Sequence, residues 1–368
     1  MTRITLLPFF LVFSLSLASC SDGPGERARL DLTLGRGAAG GVTVTVRDGL
    51  AIVDAVEPGR LDLWCNAPTQ ELTLEADPDA ITEWDLTVRN LPADAVLTFE
   101  TPDATAVALP AGLPTEKRWR LTLPPGTATV ARLAPADADA PGPFRFAVLS
   151  DIQEGVDRVG DLFERLNEEA DVRFVVSAGD LVDNGATEEY ARIRLALEGL
   201  RIPFYATCGN HDVAIGDEMV WHRHVGRHSF RFDFRGAAFS FVDSASATVD
   251  PAVSAWLDGW LDDARDRWHA FLTHVPPVDP NGVRNGSFSS RKEAAALIAR
   301  LARGGVDLAL FGHVHTYVKY SLGGVECHLS GGGGGWPMRW DGVGRHYLVV
   351  DVDPVARTHS VRLVDIGE

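Results

Sequence analysis

Positive charge and thiols are what this sequence has least of. Its 368 residues hold 34 lysines and arginines against 51 aspartates and glutamates, a formal charge of −17, and only four cysteines. A surplus of that sign repels polyphosphate backbones, so general nucleic-acid binding is disfavoured, although a bound cation could reverse the field locally. Setting Cys20 aside leaves Cys65, Cys208 and Cys327. Three is an odd number, and an oxidising compartment permits a disulfide without requiring one. Cys208 and Cys327 could meet if their strand ends face one cleft; three small buried residues is the favoured reading. The chain also has no internal repeat and no coiled-coil register. What it does have is ordinary for a soluble globular protein: 45% hydrophobic and 23% charged residues, and length enough for two cores.

The first twenty residues, MTRITLLPFFLVFSLSLASC, stand apart. Arg3 gives a short positive start, and the apolar run after it is too short for a comfortable membrane span. It closes on small residues and Cys20, and so resembles the lipobox of bacterial lipoproteins. That resemblance implies lipid attachment at Cys20 and a membrane-anchored protein of a bacterial envelope. An ordinary signal peptide is the alternative, and both imply export. Residues 21–28 then read as a flexible tether.

From residue 28 to 133 the pattern has period two, as in LDLTL, VTVTV, RLDLWC, ELTLEA and RWRLTL, broken by Gly, Pro, Asp and Asn. Short strands at that spacing predict an antiparallel β-sandwich of immunoglobulin or fibronectin type. It carries no catalytic cluster, and its partner is unknown. The stretch APADADAPGP (134–143) reads as a linker. Over 144–368 the period changes: buried runs such as FRFAVLS, VRFVVSA, WHAFLTH and VDLALFG alternate with helical segments such as VDRVGDLFERLNEEA and SRKEAAALIARLARG. Strand and helix in turn predict an α/β domain.

Polar residues collect at the ends of those runs. Asp151 and Gln153 follow the first, Asp180 and Asp183 the second. Asn210, His211 and Asp212 follow IPFYAT; His274 ends the next run, and His313 and His315 the last. Open α/β sheets bind ligands at the carboxyl ends of their strands. A lone histidine there is usually structural, but five such ends in one chain point to a site. Carboxylates, imidazoles and amides with few thiols suit manganese, iron or zinc, the amides favouring harder ions. Alternate side chains on an extended segment share a face, which lets His313 and His315 reach two neighbouring metals.

The segments SDIQ, GDLVDNG, GNHD, THVP and GHVH resemble, in order, the five blocks of the calcineurin-like metallophosphoesterases. The resemblance covers roughly residues 144–350. It implies two mixed sheets packed face to face between helices, in four layers. It also implies two metal ions, with Asp151, Gln153, Asp180 and His315 on the first and Asp180, Asn210, His274 and His313 on the second. His211 would stand beside the pair as acid or electrostatic support, oriented by Asp212, with Asp183 supporting the loop. The family usually has histidine where this chain has Gln153; the amide is a harder, weaker ligand, which favours manganese over iron or zinc. The activity implied is hydrolysis of a phosphate ester or pyrophosphate in a small phosphorylated substrate by a metal-bridging hydroxide. Gln153 tilts the substrate towards diesters or nucleotide pyrophosphates. A non-catalytic surface adhesion lipoprotein and a nuclease are the alternatives.

Three further stretches carry weaker expectations. SGGGGGW (330–336) reads as a tight connection or as backbone approaching a phosphate. His222, His224 and His228 read as a solvated helix end or a substrate wall. The long loop after His274 offers Arg284 and Asn285 as substrate contacts.

Overall fold

The computed structural model describes residues 23–213, 219–282, 286–336 and 342–367. Cys20, Arg284 and Asn285 lie outside the described residues, as does the whole 1–20 segment. The chain opens with helix α1 (Pro24–Asp31). Strands β1 (Arg36–Ala39), β2 (Val42–Val46), β3 (Ala51–Glu57), β4 (Arg60–Cys65) and β5 (Gln70–Ala76) follow. Strands β6 (Glu83–Arg89), β7 (Ala95–Phe99), β8 (Thr105–Leu109), β9 (Lys117–Thr122) and β10 (Ala128–Pro135) complete an all-β unit. Its two five-stranded sheets have the orders β1-β2-β5-β10-β7 and β3-β4-β6-β9-β8. Period two explains the layering: Val42, Val44 and Val46 of VTVTV are buried, the threonines between them are not, and the valines join Leu63, Leu72, Trp84, Leu86 and Trp119 in one core. The sandwich is not wholly antiparallel. Between β4 and β6 the chain crosses to the other sheet as β5, so β6 returns in the direction of β4 and pairs with it in parallel.

Where a free tether and a strand at LDLTL are expected, α1 forms instead. Proline suits its first turn, and Arg27, Ala28 and Asp31 make a buried stripe. Arg27 donates to Asp243 at 2.7 Å. The Asp31 carboxylate lies 3.0 Å from His222 Nε2 and 3.3 Å from His228 Nδ1, and accepts from the backbone N–H groups of His228 and Ser229, both at 2.8 Å. His222 and His228 are therefore buried anchors for α1, neither a solvated helix end nor a substrate wall. The 134–143 stretch is likewise pinned: Ala138 is buried, and Asp137 is held by Arg173 and Arg235.

The rest of the described chain is α/β. Its first half comprises β11 (Phe144–Val148), α2 (Gly160–Glu168), β12 (Val172–Ser177), α3 (Thr187–Leu197), β13 (Phe204–Ala206) and α4 (Met219–His224). Then come β14 (Phe230–Phe234), β15 (Ala237–Val242), α5 (Pro251–Asp263), β16 (Trp268–Thr273), α6 (Arg291–Gly304) and β17 (Leu308–Phe311). Strands β18 (Tyr317–Leu322), β19 (Val325–Ser330), β20 (Arg345–Asp353) and β21 (Thr358–Gly367) finish it. Both sheets are mixed, with orders β13-β12-β11-β20-β21 and β14-β15-β16-β17-β19-β18. They meet through an aromatic core that includes Phe146, Phe174, Phe232, Phe239 and Trp268. Phe239 meets Phe146 and Phe174 edge-on, at 5.2 and 5.4 Å between ring centroids. Leu162, Phe163, Tyr190 and Ile193 of α2 and α3 cover one outer face. Leu257, Leu261, Leu297 and Leu301 of α5 and α6 cover the other. The result is helices, sheet, sheet, helices.

The two units are locked together. Asn90 donates to the carbonyls of Cys65 and Phe204 at 2.7 and 2.6 Å and accepts from the Phe204 N–H at 2.7 Å. Arg194 pairs with Asp54 at 2.6 Å and lies over the Trp64 ring. Cys65, Cys208 and Cys327 are buried and free. Among the described residues no helix is long and apolar enough to cross a membrane.

Candidate metal centre

Strands β11, β12 and β13 run parallel, as do β16 and β17, so their carboxyl ends emerge on one edge. Beyond each end the backbone turns hard. Asp151, Gln153, Asp180 and His313 all have positive φ, at 62, 47, 55 and 71°. Such a conformation costs a non-glycine residue roughly 1–3 kcal/mol and persists only where neighbours enforce it. They do so here: the Asp151 N–H donates to Gly179 O at 3.0 Å, and the N–H groups of Ile152 and Gln153 donate to Asp180 O at 2.9 and 3.2 Å. The strained turns swing the side chains inward, towards one another.

Two clusters result. Asp180, His274 and His313 offer ligand atoms within 4.8 Å of one another, and so do Asp151, Asp180 and His315. Asp180 belongs to both. Its Oδ2 lies 3.1 Å from His274 Nε2 and accepts from Gln153 Nε2 at 2.7 Å; its Oδ1 accepts from the His211 N–H at 2.9 Å. Asn210 Oδ1 lies 3.1 Å from His274 Nε2, and His315 Nε2 is 3.4 Å from Asp151 Oδ1. All seven expected ligand residues are thus brought to one place. The histidines enter it differently from the expectation. Residues 312–316 form tight turns, with Val314 N–H on Gly312 O and Thr316 N–H on Val314 O, not an extended segment.

Second contacts fix the rings. His274 Nδ1 lies 3.1 Å from the Ala178 carbonyl, and His315 Nδ1 lies 2.7 Å from that of Trp336. Imidazoles held this way present their other nitrogen to a metal. Glycines let the backbone close in. A Cβ at Gly209 would stand 2.1 Å from Asp180 Oδ1, and one at Gly312 would stand 2.5 Å from Asp151 Oδ2. At Gly335 it would stand 2.7 Å from the His315 ring. The glycine run is therefore more than a connection after β19: it is moulded against the ligands, and Gly335 N–H donates to Asp151 O at 2.9 Å.

Around the clusters, His211 Nδ1 lies 2.7 Å from the backbone carbonyl of Asp183 and 3.5 Å from its carboxylate. Asp212 does not orient that ring. Buried beneath, it accepts from the backbone N–H groups of Asp180, Leu181 and Gly209 at 2.7, 2.8 and 2.8 Å, and so shapes the Asp180 turn. Asp183 does the orienting, through a carbonyl that residue types could not reveal.

The chemistry of the donors fits two divalent cations. They are carboxylates, imidazoles and amides without a thiol, and Asp151 Oδ2 is buried with no hydrogen-bond partner. Burial alone would lower the His274 imidazole, but the carboxylates of Asp180, Asp151 and Asp212 raise it to about 9. A cation ligated by that nitrogen must displace the proton. Apparent affinity for Mn²⁺ is therefore expected to rise about tenfold per pH unit between pH 6 and 8, with about one proton released per ion at this ligand. Calorimetry in buffers of different ionisation enthalpy measures both; a pH-independent affinity contradicts the arrangement.

The sequence profile of the calcineurin-like phosphoesterase family matches residues 144–317. A 3′,5′-cyclic-nucleotide phosphodiesterase of Nostoc sp. is 30% identical over 161 residues, 41% of this chain and 58% of that protein. A glycerophosphodiester phosphodiesterase of Enterobacter lignolyticus is 30% identical over 136 residues, 30% of this chain and 47% of that protein. The chain therefore spans about half the length of these two relatives. A dimetal phosphatase of known structure from Danio rerio is 13% identical, with a TM-score of 0.43 covering 60% of this chain and 98% of that one. All five strand ends that build the two clusters fall inside the family match, and residues 144–317 are a calcineurin-like metallophosphoesterase domain.

Proposed function

We propose that this chain hydrolyses phosphodiesters, with two divalent cations held by Asp151, Gln153, Asp180 and His315 and by Asp180, Asn210, His274 and His313. One observation carries the reading: a single buried carboxylate, Asp180, is common to both clusters. Divalent cations in such a pair supply Lewis acidity and an activated water. The chain's own residues do the rest. Asp180 and Asp151 set the negative charge that retains the cations, while the glycine turns hold the ligands at fixed positions. His211, its ring anchored on the Asp183 carbonyl, stands where it can meet the leaving oxygen or the charge on the phosphoryl group. Gln153 supplies a neutral amide where a second imidazole would make the site softer, which favours manganese, then iron, over zinc.

The two relatives are named for diesterase activities, which supports a diester over a monoester. We also read the chain as exported and lipid-anchored at Cys20, with the N-terminal β unit an immunoglobulin-like sandwich. The experiment is a manganese-loaded panel of bis(4-nitrophenyl) phosphate, 4-nitrophenyl phosphate, 3′,5′-cyclic AMP and UDP-glucose. A diester is expected to exceed the monoester by at least about tenfold in kcat/KM, with activity lost to EDTA and restored by Mn²⁺. Preference for the monoester or for UDP-glucose sinks the diester reading.

A further inference from the structure

Away from the metal centre, a further trio of side chains converges on one point. Asp31 of α1, His222 of α4 and His228, just before β14, offer ligand atoms within 4.8 Å of one another. We propose that these three residues hold a zinc ion, which staples α1 to the α/β unit.

Distances carry the first part. The Asp31 carboxylate accepts from the backbone N–H groups of His228 and Ser229, both at 2.8 Å. The two imidazoles stand further off, with His222 Nε2 at 3.0 Å and His228 Nδ1 at 3.3 Å from Asp31 Oδ1. A charge-assisted N–H···O bond is usually about 2.7–2.9 Å long. Ligands about 2.0–2.1 Å from a tetrahedral zinc lie roughly 3.3 Å apart, which is closer to what the imidazoles show. The metal centre of this chain has the same spacing. There His274 lies 3.1 Å from Asp180 and 3.1 Å from Asn210, and His315 lies 3.4 Å from Asp151.

Lone pairs carry the second part. Asp31 Oδ1 faces three nitrogens: the His228 N–H, His222 Nε2 and His228 Nδ1. A carboxylate oxygen offers about two lone-pair sites, so three protons crowd it. With an ion in place, the backbone N–H takes one site and the ion the other, and each imidazole turns a lone pair inward instead of a proton. The two rings meet edge to face around that point, 4.4 Å between centroids at 71°. Charge agrees. The Asp31 and histidine side chains are at most 1% exposed, and among the described residues no arginine or lysine pairs directly with the carboxylate. A buried carboxylate without a cation is costly, and a dication supplies the missing charge.

Two imidazoles and a carboxylate without a thiol are a zinc donor set. Full burial keeps substrate from the ion, so its role is structural. Helix α1 has eight residues, too few to be stable alone, and the ion ties it to α4 and to the segment entering β14.

Metal analysis of the full chain tests this. Asp180→Asn, expected to empty the metal centre, serves as the background, produced in zinc-supplied medium, washed with EDTA and desalted. One enclosed zinc per chain is expected to remain. Adding Asp31→Asn or, separately, His222→Gln is expected to remove it, with near-ultraviolet circular dichroism as the folding control. The measured quantity is the difference between these chains, so ions surviving at the metal centre would count against Asp180 and leave this inference standing. A second readout needs no change at the trio. Tryptic cleavage after Arg29, whose side chain is 63% exposed, is expected to be about tenfold or more slower in Asp180→Asn produced with zinc than in the same chain from zinc-depleted medium. The proposal is overturned if folded Asp180→Asn retains no zinc, if the doubly substituted chains retain as much as it does, or if cleavage after Arg29 is indifferent to zinc.

Discussion

Replacing Asp180 by Asn is expected to empty both cation positions and to lower kcat/KM by at least about three decades, roughly 4 kcal/mol of transition-state stabilisation. The carboxylate is common to the two clusters, so a single substitution acts on both. An amide has the same shape but only one acceptor oxygen, and it carries no charge to offset two dications. Its N–H₂ group must also take the place of Oδ2, which lies 3.1 Å from His274 Nε2, or of Oδ1, where it would meet the donating His211 N–H. The fold is expected to survive. Asn keeps the contact with the tightly apposed Gly209, and the change removes one of three neighbouring buried carboxylates, Asp151, Asp180 and Asp212. Metal analysis after manganese loading and desalting gives the first readout, and near-ultraviolet circular dichroism gives the folding control. Two ions retained by Asp180→Asn, with turnover near that of the parent, would refute the shared-carboxylate centre.

How far the sequence anticipates this geometry depends on the kind of information each feature needs. Continuous apolar runs such as VRFVVSA announce strands buried on both faces, and the polar residues closing them announce a site, because both signals are local. The strands in FRFDF and GAAFSFV are harder to place, although Phe230, Phe232 and Phe234 alternate, because two strands paired with no helix between them break the helix–strand rhythm of the domain. Asp212 shows the opposite limit. Its type and position beside His211 suggest an acid–base pair, yet its oxygens turn to backbone amides, and the carbonyl that holds the ring belongs to Asp183. A carbonyl has no residue code. Likewise nothing local in PGERARLD says that Asp31 will meet histidines nearly two hundred residues later; that partnership buries α1 and removes His222 and His228 from the solvent. The glycine run hides its role for the same reason, since what its missing side chains allow is visible only once His315 and Gln153 are beside it.

His211→Ala is expected to keep both cations and lose about 10²–10⁴ in kcat on substrates with poor leaving groups. The ring is not placed to share in either cluster. Its Nδ1 is taken by the Asp183 carbonyl at 2.7 Å, and only its backbone N–H touches Asp180. A side chain so held has Nε2 left for the substrate, and 37% of it is exposed at the mouth of the site. Two roles are open to it, and they predict different patterns. If His211 delivers a proton to the departing oxygen, its loss must matter most when that oxygen is basic. An alkyl diester should then lose the full factor, while bis(4-nitrophenyl) phosphate, whose nitrophenolate leaves without help, should lose less than about tenfold. If the ring only steadies charge on the phosphoryl oxygens, both substrates fall alike, because that charge develops whichever alcohol departs. The anchoring of Nδ1 favours the first pattern: a ring that donates through Nδ1 to a carbonyl can donate through Nε2 only as the imidazolium, and transferring that proton leaves it neutral with the Asp183 bond intact. Equal losses on the two diesters, with two ions still bound, would assign His211 to electrostatic support instead.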